Sequence, residues 1–181
     1  MNIGIVGLGL IGGSIGLKLQ SLNHTVYGVT NTSSNEIKAK ERHLANVISQ
    51  DYKILENCSI IILALPIKNL IHPSENLIKA IPTNAILTDV GSVKVPIIKT
   101  WEKIHDLFIG SHPMAGTEEK GVNAGKIELF NNSKWVLTPT HKTDQKSLHI
   151  LSTLFKNMGC DIYFENPVIH DQAVANISHL P

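Results

Sequence analysis

The chain has 181 residues, 43% of them hydrophobic, and its 16 lysines and arginines stand against 15 aspartates and glutamates. That is enough apolar material for one sizeable core and the beginning of a second unit, and the near-neutral balance excludes the basic field that nucleic acid requires. A small-molecule partner is expected, with no nucleic acid and no membrane: no apolar run reaches the roughly 18 residues of a spanning helix, no charged leader precedes the first apolar stretch, and a cytoplasmic protein follows.

Residues 2–6 read as a buried strand running into Gly7-Leu8-Gly9-Leu10-Ile11-Gly12 and then a helix over 10–22. The glycine spacing suits a dinucleotide pyrophosphate: the first for a tight turn, the second for close backbone approach to phosphate, the third for packing helix against strand. A helix N-terminus adds free N–H donors and partial positive charge. Packing alone accounts for Gly12 but poorly for Gly9. Further strands are expected at 25–29, 59–65, 85–90, 107–110, 134–138 and 161–164, and helices at 34–45, 67–80, 94–104 and 144–158. Pro73 kinks or splits the helix at 67–80. Strand–helix alternation of this kind predicts an α/β fold, a Rossmann-like, doubly wound, mostly parallel sheet, with the run at 59–65 apolar on both faces as a central strand.

Residues 111–133 break the pattern, since Gly116, Gly121 and Gly125 interrupt any period, and they read as a long functional loop or lid. Asn166-Pro167 then opens a new helix, with Gln172, Asn176 and His179 on one polar face. His170 and His179, nine residues apart, lie about 180° round a regular helix, so the two do not share a site. Cys58 and Cys160 lack metal or redox spacing and read as small buried hydrophobes, with neither disulfide nor metal expected.

At the end of the second strand an NAD-preferring site offers a carboxylate to the ribose, whereas this chain offers Thr30-Asn31-Thr32 and no acid before Glu36. NADP is therefore expected in preference to NAD, held by the hydroxyls and amide, with Leu65 and Pro66 beside the cofactor at the end of the 59–65 strand. Lys38, Lys40 and Arg42 either add charge there or form a solvated helix face. Two polar residues fall just past the carboxyl ends of expected strands, where open α/β sheets place ligands: Ser92 and His112. Histidine is suited to accept a hydroxyl proton near neutral pH, and Ser92 either orients it or caps the following helix. Asp89 reads as the anchor of its turn. His24, His43, His72, His105, His141 and His149 read as solvated or structural.

The glycine turn, Asp89-Val90-Gly91-Ser92-Val93-Lys94, Ser111-His112-Pro113-Met114-Ala115-Gly116, and His170-Asp171 with Ile177-Ser178-His179-Leu180-Pro181 together resemble, in order, the motifs of the prephenate and arogenate dehydrogenase family of tyrosine biosynthesis. The resemblance implies NAD(P)-dependent oxidative decarboxylation of arogenate or prephenate. His112 would take the ring-hydroxyl proton as hydride leaves the same carbon, Ser92 would hydrogen-bond near them, and His179 would lie near the substrate. His170 and Asp171 are assigned to structure. It also implies a dinucleotide-binding domain over 1–165, and at 166–181 the first helix of an all-helical domain that completes the substrate pocket and a homodimer. Arg42, the single arginine, lies too near the cofactor end to serve a dicarboxylate substrate, so the chain is expected to be a fragment that binds cofactor and turns over poorly. The uncharged strand end and the Met114-Ala115-Gly116-Thr117 continuation resemble the NADP-using arogenate branch. A non-catalytic nucleotide sensor would have no use for Ser92 or His112. A β-hydroxyacid dehydrogenase or imine reductase would use a helix lysine, and no lysine follows Lys156.

Overall fold

A computed structural model of the chain describes residues 1–178. Its sheet has eight strands: β1 (Asn2–Val6), β2 (Thr25–Val29), β3 (Val47–Ser49), β4 (Ile60–Leu63), β5 (Ile86–Asp89), β6 (Phe108–Met114), β7 (Lys134–Thr138) and β8 (Asp161–Phe164), in the order β3-β2-β1-β4-β5-β6-β7-β8. The first six run parallel; β7 returns antiparallel to β6, and β8 runs parallel to β7. The chain order therefore reverses between β1 and β4, which opens a crevice beyond their carboxyl ends. This is the doubly wound, mostly parallel sheet that the alternation predicts.

Strand β4 shows why the sheet must be covered on both faces. Ile60 and Ile62 belong to one core with Ile3, Ile5, Ile15 and Leu19, while Ile61 and Leu63 belong to the other with Leu87 and Trp101. Successive residues of a strand point to opposite faces, so a continuous Ile-Ile-Ile-Leu run needs helices on both. Helices α1 (Leu10–Ser21), α2 (Ser33–Glu41) and α6 (Gln145–Asn157) cover the first face; α3 (Ile67–Ile71), α4 (Glu75–Ala80) and α5 (Val95–Trp101) cover the second. Helix α7 (Pro167–Ser178) packs against α5. Among the described residues no helix is long and apolar enough to cross a membrane. Cys58 and Cys160 are both buried.

The helix expected over 67–80 is split at the Pro73-Ser74 junction, one of the two outcomes expected of Pro73, and the Ser74 hydroxyl caps α4 by accepting from the Leu77 amide at 3.3 Å. Two local expectations are corrected. Helix α2 ends at Glu41, shortly before His43 adopts φ +51°, and the three-residue edge strand β3 was too short to register as a period. Most consequential, β6 does not stop at residue 110 but continues through Met114, so Ser111 and His112 are strand residues paired with Leu137 and Val136. Pro113 is tolerated because β5 pairs only with Phe108 and Ile109, which leaves the far half of β6 bonded on one side alone.

Candidate active site

A cleft of about 900 Å³ lies at the carboxyl edge of the parallel strands, and the glycine turn forms one end of it. The three glycines play different parts. A Cβ on Gly7, whose φ is +96°, would lie 2.3 Å from the Ala64 carbonyl oxygen, and one on Gly12 would lie 1.9 Å from the Gly7 oxygen. Both positions are closed to any side chain by the turn and by the packing of α1 on β1. Around Gly9, by contrast, nothing lies within 4 Å of an added Cβ. Gly9 is also the N-cap of α1 and supplies no capping side chain, so the first amides of that helix lack an intrahelical partner and line the cleft with Leu10 and Ile11. An open space at a positive helix end is a place for an anion.

The end of β2 forms the neighbouring wall. Thr30 is buried, lines the cleft, and its hydroxyl has no hydrogen-bond partner, which marks it as awaiting a ligand. Asn31 lines the cleft too and accepts from Asn35 Nδ2 at 2.9 Å. Thr32 does not: its hydroxyl caps α2 by accepting from the Asn35 amide at 3.1 Å, and it stands outside the lining. Lys40 pairs with Glu36 at 2.6 Å. Arg42 donates to the carbonyls of Val122 and Gly125, both at 2.7 Å, so its guanidinium holds a loop rather than a ligand. Leu65 and Pro66 also line the cleft.

His112 and Ser92 line the opposite end. Alternation along β6 separates His112 from its neighbour Ser111, which is fully buried, accepts from Trp135 Nε1 at 3.0 Å and donates to the Asp89 carbonyl at 2.6 Å. The turn between β5 and α5 is held by a buried ion pair, Lys94 with Asp89, both side chains fully out of solvent. Asp89 also accepts from the Gly91 amide at 2.8 Å, and Lys94 Nζ donates to the Ser111 carbonyl at 2.6 Å. Burial pushes the Asp89 carboxyl up and the Lys94 ammonium down, each opposed by the other's charge.

The residue hydrogen-bonded to His112 is not Ser92. His112 Nδ1 lies 3.0 Å from Nε2 of His170, with the two rings edge to face at 78°, and His170 Nδ1 lies 2.8 Å from Asp171 Oδ1. Asp171 in turn accepts from the backbone amides of Lys94 at 2.7 Å and Val95 at 2.9 Å, capping α5 from far along the chain. Ser92 is thus exposed on the turn and does not cap that helix, whose N-cap is Lys94. Burial, then the charges of Lys94 and His170, bring the His112 pKa down to about 4, with Asp171 opposing. Burial also works against the Asp171 carboxylate, but the Val95 amide, His170 and the Lys94 amide outweigh it and hold its pKa below the ordinary value.

His170 and Asp171, assigned to structure on helix geometry, stand behind His112 outside the cleft lining, and through them α7 meets β6 and the start of α5. His179 lies outside the described residues. The 111–133 segment is likewise less free than a lid. Val122, Ala124 and Phe130 are buried, Ser14 Oγ accepts from the Lys126 amide at 2.8 Å, and a Cβ on Gly125 would lie 3.1 Å from Gly13 carbon. The exposed tip near Thr117, Glu119 and Lys120 lines the cleft together with Ala115, Gly121 and the buried Val122. Among the described residues no group of three or more His, Cys, Asp or Glu could hold a metal ion.

Known proteins share this fold. A family model described as "Prephenate dehydrogenase, nucleotide-binding domain" matches residues 15–164. The prephenate dehydrogenase of Bacillus subtilis is 30% identical over 98% of this chain and 50% of its own length. Among solved structures, the arogenate dehydrogenase of Synechocystis superposes with a TM-score of 0.90 at 42% identity, covering 99% of this chain and 64% of that one. A prephenate dehydrogenase of Aquifex aeolicus in complex with hydroxyphenyl propionate and NAD+ superposes with a TM-score of 0.88 at 29% identity, over 96% of this chain and 62% of that one. The chain thus spans from half to under two thirds of these relatives.

The buried ion pair sets a stability test. Lys94→Met leaves the Asp89 carboxylate uncompensated in the core and is expected to lower unfolding free energy by about 3–5 kcal/mol in urea denaturation, with Lys94→Met/Asp89→Leu recovering much of the loss. A single variant as stable as the parent would contradict the pairing.

Proposed function

Because the chain belongs to the prephenate dehydrogenase family, we propose that it is the cofactor-binding part of an NAD(P)-dependent oxidoreductase that oxidatively decarboxylates arogenate or prephenate, with His112 as the general base. One observation carries this reading: a single cleft has the open glycine turn at one end and a neutral histidine at the other. A binding module without chemistry needs only the first. Residues 1–165 are read as the dinucleotide-binding domain, and 166–181 as the start of a helical part that closes on the substrate.

The residues fit a nicotinamide dinucleotide. The space over Gly9 and the unpaired amides of α1 suit the pyrophosphate, and the unpartnered Thr30 hydroxyl with Asn31 suits the adenosine ribose. With no carboxylate at the end of β2, and with the nearest acid, Glu36, engaged by Lys40 and Gln50, nothing there repels a 2′-phosphate. This favours NADP, bound by hydrogen bonds rather than by a guanidinium, since Arg42 is occupied by loop carbonyls. The bound cofactor supplies the hydride acceptor. The chain's own contribution is at His112, whose neutral ring accepts the proton of the substrate hydroxyl; loss of the ring carboxylate as carbon dioxide then leaves an aromatic product. Ser92, which lines the cleft, is read as the hydrogen-bond partner of that hydroxyl. The 42% identity to the Synechocystis arogenate dehydrogenase favours arogenate over prephenate.

With a pKa of about 4, His112 is in its basic form throughout the neutral range. Protonation removes the base, so the acidic limb of kcat/KM should fall well below the pH of about 6.5 at which an ordinary histidine would impose it. His112→Asn should retain NADP binding by calorimetry while hydride transfer, followed as reduced-nicotinamide absorbance, drops about 100-fold or more. Loss of both together, or of neither, would contradict the assignment.

Thr30→Asp should place a carboxylate at the ribose and lower the NADP-to-NAD ratio of kcat/KM at least about tenfold, the equivalent of about 1.4 kcal/mol. An unchanged ratio would remove Thr30 from the cofactor site.

A further inference from the structure

We infer that His170 and Asp171 form a tautomer relay that leaves the lone pair of His112 on Nε2, the ring nitrogen opposite the His170 contact. The inference rests on the reading of His112 as a general base, and it concerns positioning: neither residue is taken to touch substrate or cofactor. Its logic follows the chain of donors and acceptors. The Asp171 carboxylate takes hydrogen bonds from the Lys94 amide (2.7 Å) and the Val95 amide (2.9 Å), and both of those donors are fixed backbone groups. A carboxylate so occupied is an acceptor only, so the proton shared with His170 at 2.8 Å sits on His170 Nδ1. In the neutral His170 ring Nε2 is then an acceptor; a protonated His170 would instead donate to His112 Nδ1 and put the His112 proton on Nε2. Among the described residues its partner is His112 Nδ1, 3.0 Å away, so His112 carries its proton on Nδ1 and donates it. Nε2 of His112 is left without a proton.

This assignment opposes the intrinsic preference of a free imidazole, which places the proton on Nε2. Left to itself His112 would favour the form that presents an N–H where a base is required. The relay reverses that preference by giving Nδ1–H a partner that is 4% exposed and cannot be replaced by water. It also accounts for the order of the residues. Two adjacent side chains of α7 reach two different elements: His170 contacts β6 through His112, and Asp171 contacts the first amides of α5. Docking α7 onto the nucleotide-binding part and preparing the base are therefore the same set of hydrogen bonds. The nearby charge, Lys94, donates to Asp89 and the Ser111 carbonyl and offers no competing donor to either ring.

The test is a direct readout of proton position. The full chain carrying 15N-labelled histidine, with the His112 signals assigned by their loss in His112→Asn, should show His112 as the Nδ1–H tautomer at neutral pH and His170 likewise. In His170→Phe, His112 should revert to Nε2–H and kcat should fall about 10- to 100-fold, with KM little changed. His170→Gln, whose amide oxygen can accept from His112 Nδ1, should restore the tautomer and much of kcat, which a merely structural role would not require. His112 found as Nε2–H in the parent chain, or unmoved by His170→Phe, overturns the relay whatever the activity. The expected tautomers together with a rate of reduced-nicotinamide formation that His112→Asn leaves unchanged would uphold the relay and overturn the proposed reaction.

Discussion

Everything near His112 is held by one buried lysine. Through Nζ, Lys94 binds the carboxylate at the end of β5 and a carbonyl of β6; through its amide it meets the carboxylate of Asp171 on α7. Three elements that are distant in sequence thus converge on a single residue with no solvent access. A buried charge pair of this kind contributes little net stability against an apolar replacement, but losing one partner is severe, so the geometry is enforced by the penalty for leaving it. The Gly91-Ser92 turn, the position of His112 along β6 and the seating of α7 follow from that constraint. The same charge also helps keep His112 unprotonated.

The two ends of the cleft are built differently. At the glycine end the backbone provides the chemistry: close packing around Gly7 and Gly12 fixes the turn, and the open space at Gly9 leaves helix amides exposed. At the histidine end side chains do the work, and they need a second layer to set their protonation and direction. On the proposed reading, the first end holds the phosphates and the second holds the reacting hydroxyl, and Leu65 and Pro66 line the same cleft.

Much of this was legible because it is local. The spacing of Gly7, Gly9 and Gly12, the doubly apolar run in β4 and the turn position of Asp89 all declare themselves within a few residues. The failures were of two kinds. The strand expected at 107–110 stopped four residues short, since nothing in the sequence shows that β5 ends early and leaves β6 bonded on one side, where Pro113 fits. Thr32 was counted as a ligand contact, although a threonine opening Ser33-Ser34-Asn35 is also a helix cap, and capping is what it does. Lys94 was invisible as a core residue, because lysine is rarely buried and its acid partner lies five positions away on another element. His170 was turned aside by a comparison with His179 on the same helix, when the partner that mattered was on β6.

The central claim is spatial: the nicotinamide end of the cofactor must lie at the His112 end of the cleft, with the pyrophosphate over Gly9. A crystal structure of the full chain with the oxidised dinucleotide bound measures this directly. The account predicts the nicotinamide ring packed between Ser92 and His112, close enough for a substrate carbon to touch both ring and imidazole, and the adenosine ribose hydrogen-bonded to Thr30. A nicotinamide ring lodged at the Thr30 end, or one separated from His112 by packed apolar side chains, would contradict it.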